Sequence, residues 1–498
     1  MRLFSDEDRA GFDPADRREP RTPLPVRMVA SEEYLPVRQT AKQRETECRL
    51  YALADAIAPR LGISRRRFFQ TSAGVAAAFV ALNDSFGAIF DAGRAEAMSP
   101  ETADARAEAL SDEFVMDMHT HFLRDDTRLA NFVKLRESVA AAGWNPHLSS
   151  AGAQTLDDLK FDNYYKEIFL DSDTKIALIS SAPSEIAEDW FLTNRQMAEA
   201  RTKVNAAAGG RRLMTHAIIT PGRPGWLDDL DAALELDPDS LKGYTVGDNT
   251  HKDLARYPWR MDDEEVYRGY EKAAKAGIRN ICVHKGLWGR GMDARFPGLA
   301  RHARVDDVAQ AAKDWPQLNF IIYHAAYRLD DADWALAEFD RTGRIDWVTD
   351  LAEIPARHGV TNVHADLGQI FAQTLIAQPR ICAAIMGQLV KGLGATRVCW
   401  GTDAVWTGSP QWQIEGLRRL EIPEDMRKAH GFEPLGAADG AVKRAIFGGN
   451  NARLYGIEPQ SAAAAVGDDR FSALRRDYRA AGSTPSNRRY GYVDTGRS

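Results

Sequence analysis

The sequence predicts an α/β fold, a (β/α)8 barrel of the TIM type with an N-terminal extension and a C-terminal tail. Two observations carry this. Between residues 113 and 457, short apolar runs alternate with stretches that repeat apolar residues at i, i+3, i+4 and i+7, the pattern of a helix with one buried face. About eight such units in roughly 340 residues imply a closed parallel sheet with helices outside it. A doubly wound open sheet would use the same units, but no GxGxxG or Walker-type loop follows the first strand to support it.

Each element follows in chain order. Residues 1–62 are rich in Arg, Glu, Asp and Pro, with a short helix expected near 40–58, and read mostly as a mobile extension. In residues 63–97 adjacent arginines precede an apolar segment of about twelve residues, short of the roughly 20 needed to span a membrane. Ser64, Arg65, Arg66, Phe68 and Phe69 resemble the twin-arginine export motif, and Ala95-Glu96-Ala97 would serve as a small-residue cleavage site. The expected location is therefore periplasmic, with a cytoplasmic protein carrying a basic turn and a packed helix as the alternative.

The barrel is expected over residues 112–457. Its strands are expected at 114–118, 176–180, 213–220, 241–246, 278–284, 318–324, 360–366 and 397–403. Val266, Tyr270 and Ala273 mark one outer helix, and Val305, Val308, Ala309, Ala312 and Trp315 another. Residues 458–498, Ala-rich and then polar, read as an extended tail.

At 498 residues the chain exceeds one ordinary hydrophobic core unless it forms a large barrel or part of it lies outside the core. Apolar content of 44% and charge of 27% suit a soluble globular protein. A net charge of −7 gives no footprint for nucleic acid, and no helix gathers Lys and Arg on one face as a membrane-surface helix would. The expected partner is a small-molecule substrate, and a homo-oligomer is compatible with this composition. Four scattered cysteines without a CxxC pair suggest neither a disulfide framework nor a zinc knuckle, and Cys282 and Cys399 sit in strand candidates as core.

Chemistry concentrates at the strand ends. The run EFVMDMHTHFL sets His119 and His121 two apart, so on a strand both imidazoles face one point. Strand five ends in His284, strand six in His324 and strand eight in Asp403. Only 11 of 498 residues are histidine, so chance explains this placement poorly. Barrel chemistry sits at the C-terminal ends of strands. Three imidazoles and a carboxylate would complete a site for one divalent metal ion, Zn²⁺ by preference, with Mn²⁺, Fe²⁺ or Co²⁺ as competitors.

The HxH, the histidines ending strands five and six, the Gly-Thr-Asp of strand eight and the closing IFGGNNARLYGI resemble the amidohydrolase superfamily, in its amidohydrolase-related branch. That branch holds both hydrolases and nonoxidative decarboxylases. The resemblance implies metal ligation by His119, His121, His284 and Asp403, with His324 as acid/base and Asp403 counted with it in the catalytic centre. Binuclear relatives carry a lysine at the end of strand four. Here Lys242 stands near that strand's start and Val246-Gly247-Asp248 at its end, which implies a mononuclear site.

Around this centre Arg290, Arg295 and Arg328 could grip a substrate carboxylate, and Trp288 and Trp406 could wall an apolar or aromatic substrate. Lys285 and Tyr327 also follow strand-end histidines, while His216 and His364 read as structural. The expected function is metal-dependent hydrolysis of a small carboxylated or cyclic substrate through activated water. The alternatives are nonoxidative decarboxylation on the same barrel and a barrel that only binds.

Overall fold

The computed structural model describes residues 22–25, 37–142, 155–246, 256–329, 331–483 and 492–493. Eight parallel strands pair in sequence order. They are β1 (Val115–Thr120), β2 (Thr174–Ile179), β3 (Leu213–Ile219), β4 (Ser240–Tyr244), β5 (Asn280–His284), β6 (Asn319–Tyr323), β7 (Val363–Asp366) and β8 (Val398–Cys399). Helices cover the outside of the sheet, so strands such as β5 are buried on both faces and read as near-continuous apolar runs. Beyond the short β8 the barrel closes through single hydrogen bonds, from Met118 N to Trp400 O at 3.1 Å and from Asp403 N to His119 O at 2.8 Å. The seam of the barrel therefore runs through the HxH and the Gly-Thr-Asp.

The amphipathic patterns fold as expected. Helix Glu264–Lys275 buries Val266, Gly269, Tyr270 and Ala273, and helix Val308–Asp314 buries Val308, Ala309, Ala311 and Ala312. Inside the barrel, Met118, Cys282, Ile321, Tyr323 and Cys399 pack together, which makes both cysteines core. His216 is structural, as read. It bonds Ser240 Oγ and Tyr323 Oη at 2.8 Å each, and the Tyr323 hydroxyl donates to Met118 O at 2.7 Å.

The helix expected near 40–58 is present as Ala41–Ile57, which starts at a reciprocal Thr40/Gln43 cap and buries Leu50, Ala54 and Ile57. Its apolar face is narrow, so the sequence around it reads as polar. One expectation outside the barrel needs correction: residues 458–483 are not an extended tail, since helices Pro459–Gly467 and Arg470–Ala480 pack back on the barrel. There Asp469 takes two bonds from the buried Arg212 and Asp173 pairs with Arg475, partners too distant in sequence to be read together.

The arginine-led segment is also folded. Arg65 pairs with Asp55 at 3.0 Å, Phe68 and Phe69 are buried, and helix Ser72–Phe86 is buried along most of its length. Ala95-Glu96-Ala97 lies in helix Arg94–Met98, where Ala97 is buried and Glu96 pairs with Arg419 at 2.6 Å. Among the described residues no helix is long and apolar enough to cross a membrane.

Candidate metal centre

β1 delivers His119 and His121 from one face, and Asp403 meets them from the turn after β8. Nε2 of His119 lies 3.2 Å and Nε2 of His121 3.1 Å from Asp403 Oδ1, with all three side chains fully buried. Ligand atoms around one tetrahedral ion, each bonded at ~2.0–2.1 Å, stand about 3.3 Å apart. The observed spacing is that of donors sharing an ion. Ligand atoms of His119, His324 and Asp403 lie within 4.8 Å of one another. The His284 ring stands 4.6 Å from the His324 ring and 5.0 Å from that of Tyr244. His284 thus borders the group from β5, while His324 shares a set with His119 and Asp403.

The Nδ1 contacts decide which nitrogens are available. His121 Nδ1 faces Ser180 O at 3.1 Å and His324 Nδ1 faces Gly368 O at 3.0 Å, both carbonyls that can only accept. Each Nδ1 therefore carries a proton, which leaves Nε2 as the nitrogen each ring can offer to a metal. His119 donates Nδ1–H to Asp366 Oδ2 at 2.9 Å, with the same result. Burial first, then the charges of Lys242 and the neighbouring imidazoles, hold the His119 pKa well below its ordinary value, so this ring stays neutral as a ligand must. His119, His121 and Asp403, all fully buried and with His324 beside them, fit a divalent transition metal.

His324, Ala325, Ala326, Gln369 and Asp403 all hold positive φ, from 44° to 62°. Such backbone costs on the order of 1–3 kcal/mol per residue and gathers where function demands it. Two glycines give the centre its room. A Cβ on Gly368 would stand 2.3 Å from His119 Nδ1, and one on Gly401 would stand 1.9 Å from Asp366 Oδ1.

Asp117 and Asp366 were not singled out from sequence. Both are fully buried, and burial pushes each carboxyl up to about 7, Asp366 against the pull of Lys242. The available signal was position, since Asp366 ends β7 as Asp403 follows β8. His364, read from sequence as structural, is buried, and burial lowers its pKa to about 3.

Of the expected substrate contacts, Trp406 lies at the centre, its ring 5.6 Å from His121 and 5.2 Å from Phe191. Trp288 is buried and bonds Asp293 at 2.8 Å. Arg290 pairs with Asp346 at 2.8 Å and Arg328 with Asp293, while Arg295 stacks over Phe296. Lys285 is fully buried, bonded to Asp307 at 2.7 Å, and is structural. Lys242 reaches the barrel interior with its ammonium 3.6 Å from the Tyr323 ring centre. Gly247 and Asp248 lie outside the described residues.

The amidohydrolase family model matches residues 116–457. The chain belongs to the amidohydrolase family. That range opens inside β1 and closes at IFGGNNARLYGI, so the family covers the barrel and the candidate metal centre, and the chain is an enzyme. No curated protein matches the chain. Among solved structures it is similar to a TIM-barrel protein from Bordetella bronchiseptica, at 13% identity and a TM-score of 0.42 over 70% of this chain and 99% of that one. An amidohydrolase from Burkholderia multivorans gives 14% and 0.41 over 69% and 100%. The 5-carboxyvanillate decarboxylase from Sphingomonas paucimobilis gives 13% and 0.39 over 70% and 100%.

Proposed function

We propose that this amidohydrolase is a mononuclear metal-dependent hydrolase acting on a small carboxylated or cyclic substrate, a lactone or an amide. The observation that carries the reading is the convergence of His119 and His121 Nε2 on Asp403 Oδ1 beside His324. A divalent ion held there, Zn²⁺ by preference, would lower the pKa of water from 15.7 toward about 7 and polarise a substrate carbonyl. His119, His121, His284 and Asp403 would hold the ion. His324, its Nδ1–H fixed on Gly368 O, presents Nε2 to take a proton from water and return it to the leaving group. Trp406, with Phe191 beside it, walls the site against bulk water.

Decarboxylation needs a cation to hold the departing carboxylate. Arg290 and Arg328 pair with Asp346 and Asp293 and Lys285 with Asp307, which weighs toward hydrolysis, while Arg295, stacked over Phe296, and Lys242 in the barrel interior are the cations a decarboxylase would draw on. The test is metal analysis of the purified chain followed by a panel of lactones, amides and aromatic carboxylates, monitored for both hydrolysis and CO₂ release. Hydrolysis that requires the metal is the expected result. Metal-dependent CO₂ release as the sole activity would overturn it in favour of a lyase.

A further inference from the structure

Asp366 ends β7 fully buried, and one of its oxygens does three things at once. Oδ2 accepts from His119 Nδ1 at 2.9 Å, from the His324 backbone amide at 3.3 Å and from the Gly368 amide at 3.0 Å. Gly368 O in turn accepts from His324 Nδ1 at 3.0 Å. The two ends of the short segment 366–368 thus grip a metal-ligand candidate and the acid/base candidate through the same three residues. Packing leaves this arrangement little freedom. Tyr323 lies against the His119 ring with centroids 4.0 Å apart, and the space that Cβ atoms on Gly368 and Gly401 would fill is taken by His119 and Asp366.

A buried carboxylate is a poor source of stability, because desolvation offsets what its bonds return. Its placement has a better explanation in alignment. The carboxylate fixes the tautomer of His119, aims Nε2 at Asp403 and holds the left-handed backbone at His324, φ 59°, that brings the second imidazole alongside.

We propose that Asp366 is the positioning residue of the centre, setting the separation between the His119 ligand atom and the His324 acid/base nitrogen. The proposal rests on the metal-centre reading given above. It acts through the two histidines and touches neither ion nor substrate.

The test is Co²⁺ titration of the full-length metal-free chain and of Asp366→Asn, followed by calorimetry and by the visible ligand-field spectrum. Asparagine keeps the size but weakens the bond to His119. Wild type should bind one equivalent, and Asp366→Asn should bind 10- to 100-fold more weakly with a shifted spectrum. Thermal unfolding of the metal-free chains should meanwhile stay close together. Asp366→Glu, which keeps the charge and displaces the carboxylate by one methylene, should shift the spectrum in the same way and serves if Asp366→Asn does not fold. Equal affinity and an unchanged spectrum in both variants would overturn the positioning role while leaving the metal centre intact. A wild-type chain that takes up no Co²⁺ would overturn the metal-centre reading and this proposal with it.

Discussion

Asp117 accepts the backbone amide of Thr402 at 3.1 Å, and its second oxygen takes the Thr402 hydroxyl. The same carboxylate accepts the His119 amide at 3.1 Å. It spans the seam where the barrel closes with few ladder bonds, so it sets the HxH of β1 in register with Asp403. Asp117→Ala should leave these donors without their acceptor, at a cost on the order of 3 kcal/mol. Urea unfolding of the metal-free protein reads the loss, and metal content should fall with it.

His119→Ala and Asp403→Ala should each reduce the metal from about one equivalent per chain to near none, because each removes a donor from the convergent set. Elemental analysis of purified variants decides this. Full loading of both would sink the centre.

His324→Asn separates two roles. As an acid/base group it should keep the metal and lose turnover by about 10²- to 10⁴-fold. The ligand atoms of His324 nevertheless lie within 4.8 Å of those of His119 and Asp403. Loss of metal in this variant, with retention in His284→Asn, would exchange the roles of the two histidines.

Asp173 supplies a pH-dependent test far from the chemistry. Burial opposes its ionisation, but Arg418, Arg475 and Arg479 overcome this and hold the carboxyl far below the usual range. A folded pKa below the unfolded value of about 3.9 means stability fully present above that value and lost as pH falls toward the folded one. Asp173→Asn should cost about 3–5 kcal/mol at pH 7 by leaving buried arginines uncompensated. In urea titrations the gap between variant and wild type should narrow toward pH ~3, within the window below the unfolded pKa.

Export through the twin-arginine route remains our proposal for residues 63–97, and the packing adds a condition. Cleavage after Ala97 would strip helix Ser72–Phe86 from the core and Glu96 from Arg419. Intact-mass measurement of the folded enzyme should therefore find the segment retained, and a deletion of residues 1–97 should be insoluble. A soluble, active enzyme that begins at residue 98 would refute this.

By itself the sequence determined the eight strands, the amphipathic helices around them and the strand ends where His119, His121, His284, His324 and Asp403 stand. Those signals are local, because burial on both faces makes a strand uniformly apolar and one buried face makes a helix periodic. Tertiary structure alone decided the rest. Asp366 reaches His119 across 247 positions and Asp117 reaches Thr402 across 285, and neither pairing leaves a mark on its neighbours in sequence. The polar helix Ala41–Ile57 became part of the fold because the surface that buries Leu50, Ala54 and Ile57 is assembled from elsewhere in the chain. Arg290 pairs with Asp346 and Arg328 with Asp293 across 56 and 35 positions, contacts that only folding brings together.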